Sequence, residues 1–427
     1  MWLLNTAKLT LEYFNETQVQ KISYAVLSHA WGPDEVLFYE VQGNRAAIRR
    51  KAGWVKTVRF CEEAFARGYL HAWIDTCCID KRNSADLSEA INSMYRYYHD
   101  SALCIIYLED VHMYNKEADY SLPTPEPITR DELLARIRAT RWLTRGWTLQ
   151  ELIAPARRSF FASDWSEIED GDDLLDTIAE SAQLSKRILE DRDLLRRFSI
   201  GERMKWASTR QTTREEDIAY CLAGIFDVSI PVLYGEGARN AFRRLQLEIM
   251  RTSFDMTIFA WRGDYDSSGL LARSPADFRD GPPSVLGPPE MIAPYAMTNA
   301  GLTICLGFDI KEGADGRKTG EHASGKHFPA ALSCEVQAPS GQWEVPLVYL
   351  EPILGMSPLI NGQKRRAYRR VRCAEWLTLS YQQIKDYTYE DIIVMEDENY
   401  DFIRRARERH KWHLARIERS NNGSWKT

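Results

Sequence analysis

The alternation of strand and helix patterns over the first 110 residues is the feature that most constrains the fold of this chain. Tyr24 to Ser28 (YAVLS) is a short apolar run, which is typical of a buried parallel strand. The segment 53–67 predicts a helix that ends at Gly68. His71 to Ile74 and Ala102 to Leu108 have the same apolar character as the first run. We therefore expect at least three strands, with helices between them.

The two helices between these strands are predicted from their apolar periodicity. In the first, we expect the buried face to carry Val55, Val58, Cys61 and Phe65. The second begins at Asp86, because Glu89 lies three residues later as in a capping box. Strand–helix–strand–helix–strand predicts a parallel sheet covered by helices, an α/β core over about residues 20–165.

The middle of the chain has a different character. Residues 112–130 are rich in proline and polar residues, which predicts a surface insertion. Residues 131–250 are predicted to be mostly helical, with a helical extension over 166–250. The pairs Ser199 with Glu202 and Thr213 with Glu216 have the capping-box spacing, so we expect helices to start there.

A third region begins near residue 251, where strands replace helices. Apolar residues alternate with polar or small ones, which predicts a strand with one solvent-exposed face. The apolar positions are Leu302, Ile304, Leu306, Phe308 and Ile310. Further strands are predicted around 332–336, 343–350 and 391–395, so that residues 251–402 form a β-rich domain. Residues 403–427 are expected to form a charged helix that fades into a disordered tail.

Composition limits the class of protein. A length of 427 residues favours two domains, and 44% hydrophobic with 27% charged residues is typical of a globular protein. The net charge of −6 gives no reason to expect a nucleic-acid partner. No apolar stretch approaches the roughly 20 residues of a bilayer helix, so we expect no membrane span. The N-terminus shows no secretory signal, and the eight cysteines show no metal-binding spacing. We expect a cytoplasmic protein with reduced cysteines and no bound metal.

Four long blocks carry a family resemblance. They are YAVLSHAWG at 24–32, WIDTCCIDKRNSADLSEAINSMYRYYHDS at 73–101, RWLTRGWTLQELIAP at 141–155 and RQTTREEDIAYCLAGIFDVSIPVLYGEG at 210–237. Together they resemble the heterokaryon-incompatibility (HET) domain, over residues 1–250. The segments Ile258 to Arg262 and Met297 to Leu302 resemble the β-rich region that often follows it. The resemblance implies self/non-self recognition and cell-death signalling when genetically different fungal cells fuse, with protein partners or self-association.

HET domains in turn resemble Toll/interleukin-receptor (TIR) domains, some of which cleave NAD. This implies a TIR/flavodoxin-like parallel sheet. The segment GWTLQEL resembles a TIR block in which a glutamate follows a tryptophan by four residues, as Glu151 follows Trp147. The resemblance implies that Glu151 is catalytic and that Trp147 shares its helix face. The chain departs from the TIR pattern at Thr148, where TIR domains have a cysteine, and in the loop after the first strand.

The chemistry implied for Glu151 is the cleavage of the nicotinamide–ribose bond, with NAD as a substrate and no cofactor required. Positive charge builds on the sugar as that bond breaks, so a carboxylate beside it stabilises the transition state. The structural alternative is that Glu151 is a helix carboxylate satisfied by Arg141 or Arg145. A second alternative is a non-catalytic interaction module that assembles with itself or with partners and passes on a death signal.

Polar and aromatic residues follow the first two predicted strands. Ser28, His29 and Trp31 lie at the end of one strand, and Asp75 and Asp80 follow the next. Ligands of open α/β sheets bind at the carboxyl ends of the strands. Trp31 is predicted to stack on a flat base, while Ser28, His29 and Asp75 are predicted to hydrogen-bond a ribose or phosphate. The alternative is that these side chains only pack the loops against the hydrophobic core.

Two other motifs suggest chemistry that we consider less favoured. Cys77 and Cys78, with His29 and Asp75, allow a thiol nucleophile, but adjacent cysteines after a strand are more often buried. The spacing of Gly320, Gly325 and Lys326 fits a phosphate-binding loop, yet His327 replaces the Ser or Thr that binds Mg²⁺, and Pro329 is incompatible with the helix that should follow. We expect a polar loop there.

Overall fold

The computed structural model describes most of the chain. The described residues are 1–43, 45–114, 128–281, 284–286, 294–312, 318–320, 327–338, 340–354, 356–360, 362–406 and 408–409. Their contacts divide the chain into two units. Unit 1 comprises Met1–Phe198, Arg203–Glu248 and Ser274–Ala276, and unit 2 comprises Ser199–Glu202, Ile249–Arg273 and the residues from Asp277 onward. The boundaries of independently folding domains stay a prediction.

A mixed sheet forms the centre of unit 1. Seven strands pair in the order β2-β1-β4-β3-β5-β6-β7 in the described part of this unit. They are β1 (Trp2–Asn5), β2 (Leu11–Tyr13), β3 (Tyr24–His29), β4 (His71–Trp73), β5 (Leu103–Tyr107), β6 (Arg158–Phe161) and β7 (Glu167–Ile168). The four strands β4, β3, β5 and β6 are parallel, and β1, β2 and β7 extend the sheet in antiparallel fashion. The predicted parallel sheet of an α/β protein is confirmed.

Twelve α-helices lie between residues 16 and 252 in the described part of the chain. They are α1 (Glu16–Val19), α2 (Phe38–Gln42), α3 (Arg45–Ile48), α4 (Ala52–Ala66), α5 (Ser84–His99), α6 (Arg130–Arg138), α7 (Thr148–Ile153), α8 (Asp172–Ser181), α9 (Lys186–Glu190), α10 (Ile200–Lys205), α11 (Asp217–Tyr220) and α12 (Ala238–Thr252). Gly68 follows α4 with a φ of 87°, the left-handed conformation that glycine adopts at little cost. The predicted end of that helix is therefore confirmed.

The buried face of α4 differs from the predicted one. Its large buried side chains are Trp54 and Phe60, whereas Val55 and Phe65 are exposed. Cys61 is buried, as expected. Trp54 and Phe60 remove more apolar surface from water than the valines do, and this favours their face of the helix.

Two predicted helix starts were wrong. Asn83, not Asp86, caps α5, because its side-chain oxygen accepts from the backbone N–H groups of Ala85 and Asp86. The pair Thr213 and Glu216 forms no capping box, since α11 begins at Asp217 with Glu216 in the N-cap position. The pair Ser199 and Glu202 behaves as predicted, because the Ser199 hydroxyl accepts from the Glu202 N–H at 3.1 Å. Capping-box spacing alone therefore overpredicts helix starts.

Unit 2 is β-rich, as predicted. Its strands are β8 (Ser267–Ser268), β9 (Ser284–Leu286), β10 (Ala296–Thr298), β11 (Gly301–Phe308), β12 (Ile310–Glu312), β13 (Lys318–Gly320), β14 (Phe328–Ala331), β15 (Cys334–Gln337), β16 (Trp343–Pro352), β17 (Leu359–Ile360), β18 (Gln363–Lys364), β19 (Ala367–Val371), β20 (Leu377–Leu379) and β21 (Thr388–Val394). Ten of them form one sheet among the described residues, in which β11 pairs with β21 and β14. A short helix, α13 (Tyr381–Ile384), precedes β21.

Strand β11 shows the alternation that the sequence predicts. Leu302, Ile304, Leu306 and Phe308 are buried, and Thr303 and Cys305 between them are half-buried. The described part of the C-terminal helix spans 397–406, so it begins before the predicted residue 403. The predicted tail after residue 409, most of the predicted 112–130 insertion, and Gly325 with Lys326 lie outside the described residues.

The parallel strands of unit 1 bring their carboxyl ends to a single edge of the sheet. Ser28 and His29 are the last residues of β3, and they pair in register with Ile106 and Tyr107 at the end of β5. Asp75 follows β4, which pairs with β3 on the other side. We call this the carboxyl edge of the sheet, and the candidate site lies along it.

Candidate functional site

The Glu151 carboxyl is bound to the end of strand β3. The Ser28 hydroxyl donates a hydrogen bond of 2.5 Å to Glu151 Oε2. The Trp142 indole N–H donates to the same Ser28 oxygen at 2.8 Å. Both Ser28 and Glu151 are buried, with Glu151 only 6% exposed. The structure thus joins helix α7 to the carboxyl edge through a chain of three polar side chains.

Burial gives the Glu151 carboxyl an unusual proton affinity. Loss of solvent is the main cause and the negative charge of Asp75 the second, and together they raise the pKa of Glu151 to about 8. The hydrogen bond from Ser28 opposes this shift without cancelling it. Glu151 is therefore largely a neutral acid at neutral pH.

Neither of the expected arginine partners bonds to Glu151 in the described part of the chain. Arg141 donates to the backbone oxygen of Trp31 at 3.1 Å and lies 3.8 Å from Glu109. The Arg145 charge opposes the rise in the Glu151 pKa, but no hydrogen bond or ion pair joins these two side chains among the described contacts. The group that bonds to the Glu151 carboxyl is the Ser28 hydroxyl and not either arginine, because α7 turns the carboxyl inward toward β3.

A second polar cluster lies beside the first, around Asp75. The Trp31 indole N–H donates to Asp75 Oδ2 at 2.7 Å. The His29 ring lies 4.0 Å from Asp75 Oδ1 and 3.7 Å from Glu35 Oε1. Burial is the main reason that the pKa of His29 lies well below its ordinary value, with the Lys56 charge the next cause. His29 is consequently neutral.

Two lysines complete this cluster. The Lys81 ammonium lies over the Trp31 ring, 3.6 Å from its centroid. Lys56 forms an ion pair with Glu35, whose carboxylate also accepts from the Gly32 backbone N–H at 2.7 Å. Burial is the main cause that lowers the pKa of Lys81, and the negative charge of Asp75 opposes it. The cluster holds cationic, anionic and aromatic groups in contact.

Trp147 does not belong to the Glu151 cluster. Its indole N–H donates to Asp217 Oδ2 at 3.1 Å, and the Tyr234 hydroxyl donates to Asp217 Oδ1 at 2.9 Å. Trp147 occupies the N-cap position of α7 and is only half-buried. The Trp147 indole is therefore directed toward α11, and its predicted role in binding NAD beside Glu151 stays a prediction.

The segment 206–221 holds α7 in place. The Arg210 guanidinium is buried and donates to the Thr148 hydroxyl at 3.1 Å, while Gln211 exchanges backbone hydrogen bonds with Thr144 and Gly146. A Cβ at Gly146 would lie 2.6 Å from Thr212 Cγ2, so the two segments approach as closely as they do only because residue 146 is glycine. The position of Glu151 therefore depends on residues far along the chain.

The adjacent cysteines are both buried. Cys77 is inaccessible to solvent. The pKa of its thiol lies well above the ordinary value, mainly because of its hydrogen bond with Cys78 and next because of burial. A thiol held protonated and out of solvent is a poor nucleophile. The structure gives no support to the thiol alternative.

Of the predicted site residues, the structure brings Ser28 to Glu151 and brings His29 and Trp31 to Asp75. Asp80 instead pairs with Arg82 at 3.2 Å. The sequence interpretation missed Trp142, Lys81, Glu35 and Asp217. Lys81 lies in the block 73–101, shortly after the end of a strand, and this position could have indicated that it belongs to the site.

No group of His, Cys, Asp and Glu side chains in the described ranges could hold a metal ion. Within the same part of the chain, no helix is both long and apolar enough to cross a membrane.

A family profile described as heterokaryon incompatibility protein (HET) matches residues 24–151. These bounds run from the first residue of β3 to Glu151, so they enclose both clusters at the carboxyl edge. Residues 24–151 are a HET domain. A second profile, described as a domain of unknown function (DUF8212), matches residues 240–284. No solved structure matches the chain.

A curated relative supports the same assignment. The chain is 44% identical over 229 residues to the vegetative incompatibility protein HET-E-1 of Podospora anserina. The aligned region is 53% of this chain but only 16% of that protein, so the chain spans a small part of the relative's length. The predicted resemblance to HET domains is confirmed for residues 24–151, and the wider bounds of 1–250 stay a prediction.

Proposed function

We propose that this chain acts in heterokaryon (vegetative) incompatibility, as a component of self/non-self recognition that signals cell death through protein partners or self-association. The observation that carries the proposal is the HET domain itself, with 44% identity to a vegetative incompatibility protein over 229 residues. An identity of this size over 229 residues favours a shared role for the matched region.

Inducible expression of the full chain in a filamentous fungus tests this role. We expect hyphal death, scored with a vital dye, when the chain accumulates together with its incompatible partner. Strains that carry compatible backgrounds are the control. Equal viability in all backgrounds, with the protein present at the same level on an immunoblot, would contradict the proposal.

For the mechanism, we propose that the HET domain is TIR/flavodoxin-like and cleaves NAD at the carboxyl edge. The order of the parallel strands supports this fold, since β4-β3-β5-β6 is the order 2-1-3-4 when these strands are numbered along the chain. That is the start of the flavodoxin-like order, in which ligands bind where the order reverses, between the first and third parallel strands. Ser28 and His29 end the first of these.

The burial of Glu151 supports a role in this reaction. A neutral acid with a pKa of about 8 becomes a carboxylate more easily when a cationic nicotinamide ring lies beside it. The carboxylate then stabilises the positive charge that builds on the ribose as the carbon–nitrogen bond breaks. Water adds to the ribose, nicotinamide leaves, and one proton is released. Ser28 orients the Glu151 oxygen during these steps.

Incubation of the purified full chain with NAD⁺ tests the mechanism, with nicotinamide measured by chromatography. We expect time-dependent nicotinamide release that rises with pH toward 8, because the free protein must first lose the Glu151 proton. Absence of release from folded protein that still causes hyphal death would exclude the enzymatic mechanism.

That outcome would leave the non-catalytic interaction module. Its structural support is that Glu151 is bonded to Ser28 and that Lys81 covers Trp31, so both clusters are filled by the chain's own groups. The module predicts that death requires assembly, so cross-linked complexes should form without NAD consumption.

A further inference from the structure

Lys81 has an unusual environment for a lysine. Its Nζ atom is buried and has no hydrogen-bond acceptor within the described part of the chain. Lysines generally extend their ammonium groups into water, which supplies the acceptors that the protein does not. Here the ammonium has exchanged that hydration for the face of Trp31, at 3.6 Å from the ring centroid.

The Trp31 ring is well suited to hold a cation. Its N–H donates to the Asp75 carboxyl at 2.7 Å, and this hydrogen bond increases the electron density of the ring. The negatively charged groups Asp75 and Glu35 both act on the Lys81 charge. An aromatic face with carboxylates beside it is the usual chemistry of a site for organic cations.

A second buried group nearby lacks a partner. Both ring nitrogens of His29 are without hydrogen bonds in the described residues, and the side chain is 1% exposed. His29 lies 4.0 Å from the same Asp75 carboxyl that accepts from Trp31. A neutral imidazole offers one donor and one acceptor, which suits an uncharged amide.

We propose that Lys81 is the resident occupant of a binding site for a flat organic cation, and that the pyridinium ring of NAD⁺ displaces it from the face of Trp31. The identity of the ligand rests on the proposed NAD cleavage, whereas the cation site itself rests on the contacts of Lys81, Trp31 and Asp75. The His29 ring then binds the carboxamide of the nicotinamide.

Displacement of Lys81 makes two demands on binding. The ligand must carry a positive charge, because the ring and the carboxylates favour cations over neutral rings. It must also compete with Lys81, so the affinity of the resting protein is reduced by the cation–π contact that it breaks. A contact of this kind contributes about 0.5 to 2 kcal/mol, which corresponds to roughly 2- to 30-fold in affinity.

The test uses 1-methylnicotinamide as the cationic probe and nicotinamide as the neutral one, with binding to the full chain measured by calorimetry. We expect the wild-type protein to prefer the cation. Lys81→Met should bind the cation about 2- to 30-fold more tightly, and Trp31→Leu should lose the preference. Lys81→Gln is the second variant if Lys81→Met fails to fold.

Arg82→Met is the matched control. Arg82 is the next residue of the same loop and lies over the Tyr39 ring at 4.6 Å, but its side chain is 63% exposed. It should leave binding of both probes unchanged. Equal binding of the two probes, or a Lys81 variant that binds the cation no better than the wild type, would overturn the proposal.

Cation binding and NAD cleavage are measured separately. The probe contains no ribose, so its binding is measured without any reaction. Cation binding with no nicotinamide release would retain the site and reject the enzyme. Nicotinamide release with no preference for the cation would retain the enzyme and reject the role of Lys81.

Discussion

Two glutamates of unit 1 expose similarly small fractions of their surface, but their pKa values shift in opposite directions. Glu151 at the carboxyl edge is 6% exposed, and Glu216 beside the loop 233–237 is 5% exposed. Burial, with Asp75 as a second cause, raises the pKa of Glu151 to about 8. Hydrogen bonds from backbone N–H groups, that of Gly235 first, lower the pKa of Glu216 below its ordinary value. Exposure alone therefore does not determine the charge of a buried acid.

The difference lies in the loss of solvent and in the donors. Loss of solvent is the largest cause for Glu151, whereas for Glu216 it opposes the backbone hydrogen bonds and ranks below that from Gly235. Glu216 Oε1 accepts from the N–H of Gly235 at 2.6 Å and of Gly237 at 3.3 Å. Both glycines have positive φ, 98° and 82°, which lets the loop turn its N–H groups onto one oxygen. Glu151 accepts instead from the Ser28 hydroxyl, which replaces the lost hydration of the carboxylate less completely than two backbone N–H groups do. Fixed backbone donors stabilise a permanent charge, whereas Glu151 keeps a proton that a cationic ligand can displace.

The largest expected effect is that of Glu151→Gln on NAD cleavage. The amide keeps the shape and an acceptor for Ser28 but has no charge, so nicotinamide release should fall by a factor of about 10² to 10³. At pH 7 the wild-type chain must take up a proton at Glu151 when it folds and the glutamine variant need not, so the melting temperature of the variant should be maintained or raised there. Both quantities are measured on the same preparation.

Three results would be informative for this variant. A folded and inactive protein supports catalysis by Glu151. An unfolded protein indicates a structural role for the carboxyl. A folded variant that still causes hyphal death would break the proposed link between Glu151 and signalling.

Glu216→Ala should be the more damaging change to the fold. It removes the acceptor of the Gly235 and Gly237 N–H groups. Because Gly235 is exposed and water can replace the lost acceptor there, we expect a loss of about 0.5 to 1.5 kcal/mol of unfolding free energy. Urea unfolding of this variant measures the loss. Glu215→Ala, at the exposed neighbouring position, is the control and should lie within about 0.5 kcal/mol of the wild type.

The pH dependence of stability should have opposite signs at the two acids. The folded protein keeps the Glu151 proton from the ordinary pKa of 4.5 up to about 8, while the unfolded chain releases it. Its contribution to the unfolding free energy is therefore complete below 4.5 and is lost as pH rises, at up to about 1.4 kcal/mol per pH unit. Glu216 has a lowered pKa, so it stabilises the folded protein at pH values above its ordinary pKa, and this contribution is lost as pH falls.

Glu151→Gln sharpens this contrast. Between pH 5 and 8 its unfolding free energy should fall less steeply with pH than that of the wild type. Identical slopes in the two proteins, from urea unfolding at each pH, would show that Glu151 is already charged in the folded protein and would remove the contrast with Glu216.

The smallest effect is expected at Cys77. Cys77→Ser should retain the full rate of nicotinamide release, because the thiol is buried and protonated and serves packing rather than chemistry. Some loss of melting temperature is expected from a hydroxyl in an apolar site. A folded variant without activity would revive the thiol mechanism. Cys78→Ser is the companion change with the same expectation.

Much of the fold of unit 1 could be predicted because its signals are local. The apolar runs of β3, β4 and β5 and the periodicity of α4 and α5 are legible within short windows. Strands β1 and β6 were missed, since β1 is short and exists through its pairing with β4, and β6 through its pairing with β5. A strand of four residues has no distinct pattern until its neighbour is known.

The sequence by itself determined the family, the parallel strands and the residue types at the carboxyl edge, because these are written in contiguous blocks. Only the tertiary structure decided which of them meet: Glu151 with Ser28, Trp147 with Asp217, and Lys81 with Trp31. The partners of Glu151 and Trp147 lie 123 and 70 residues away in the chain. Contacts over such separations, and the burial that gives Glu151 its pKa, depend on how the whole unit packs, which no local pattern encodes.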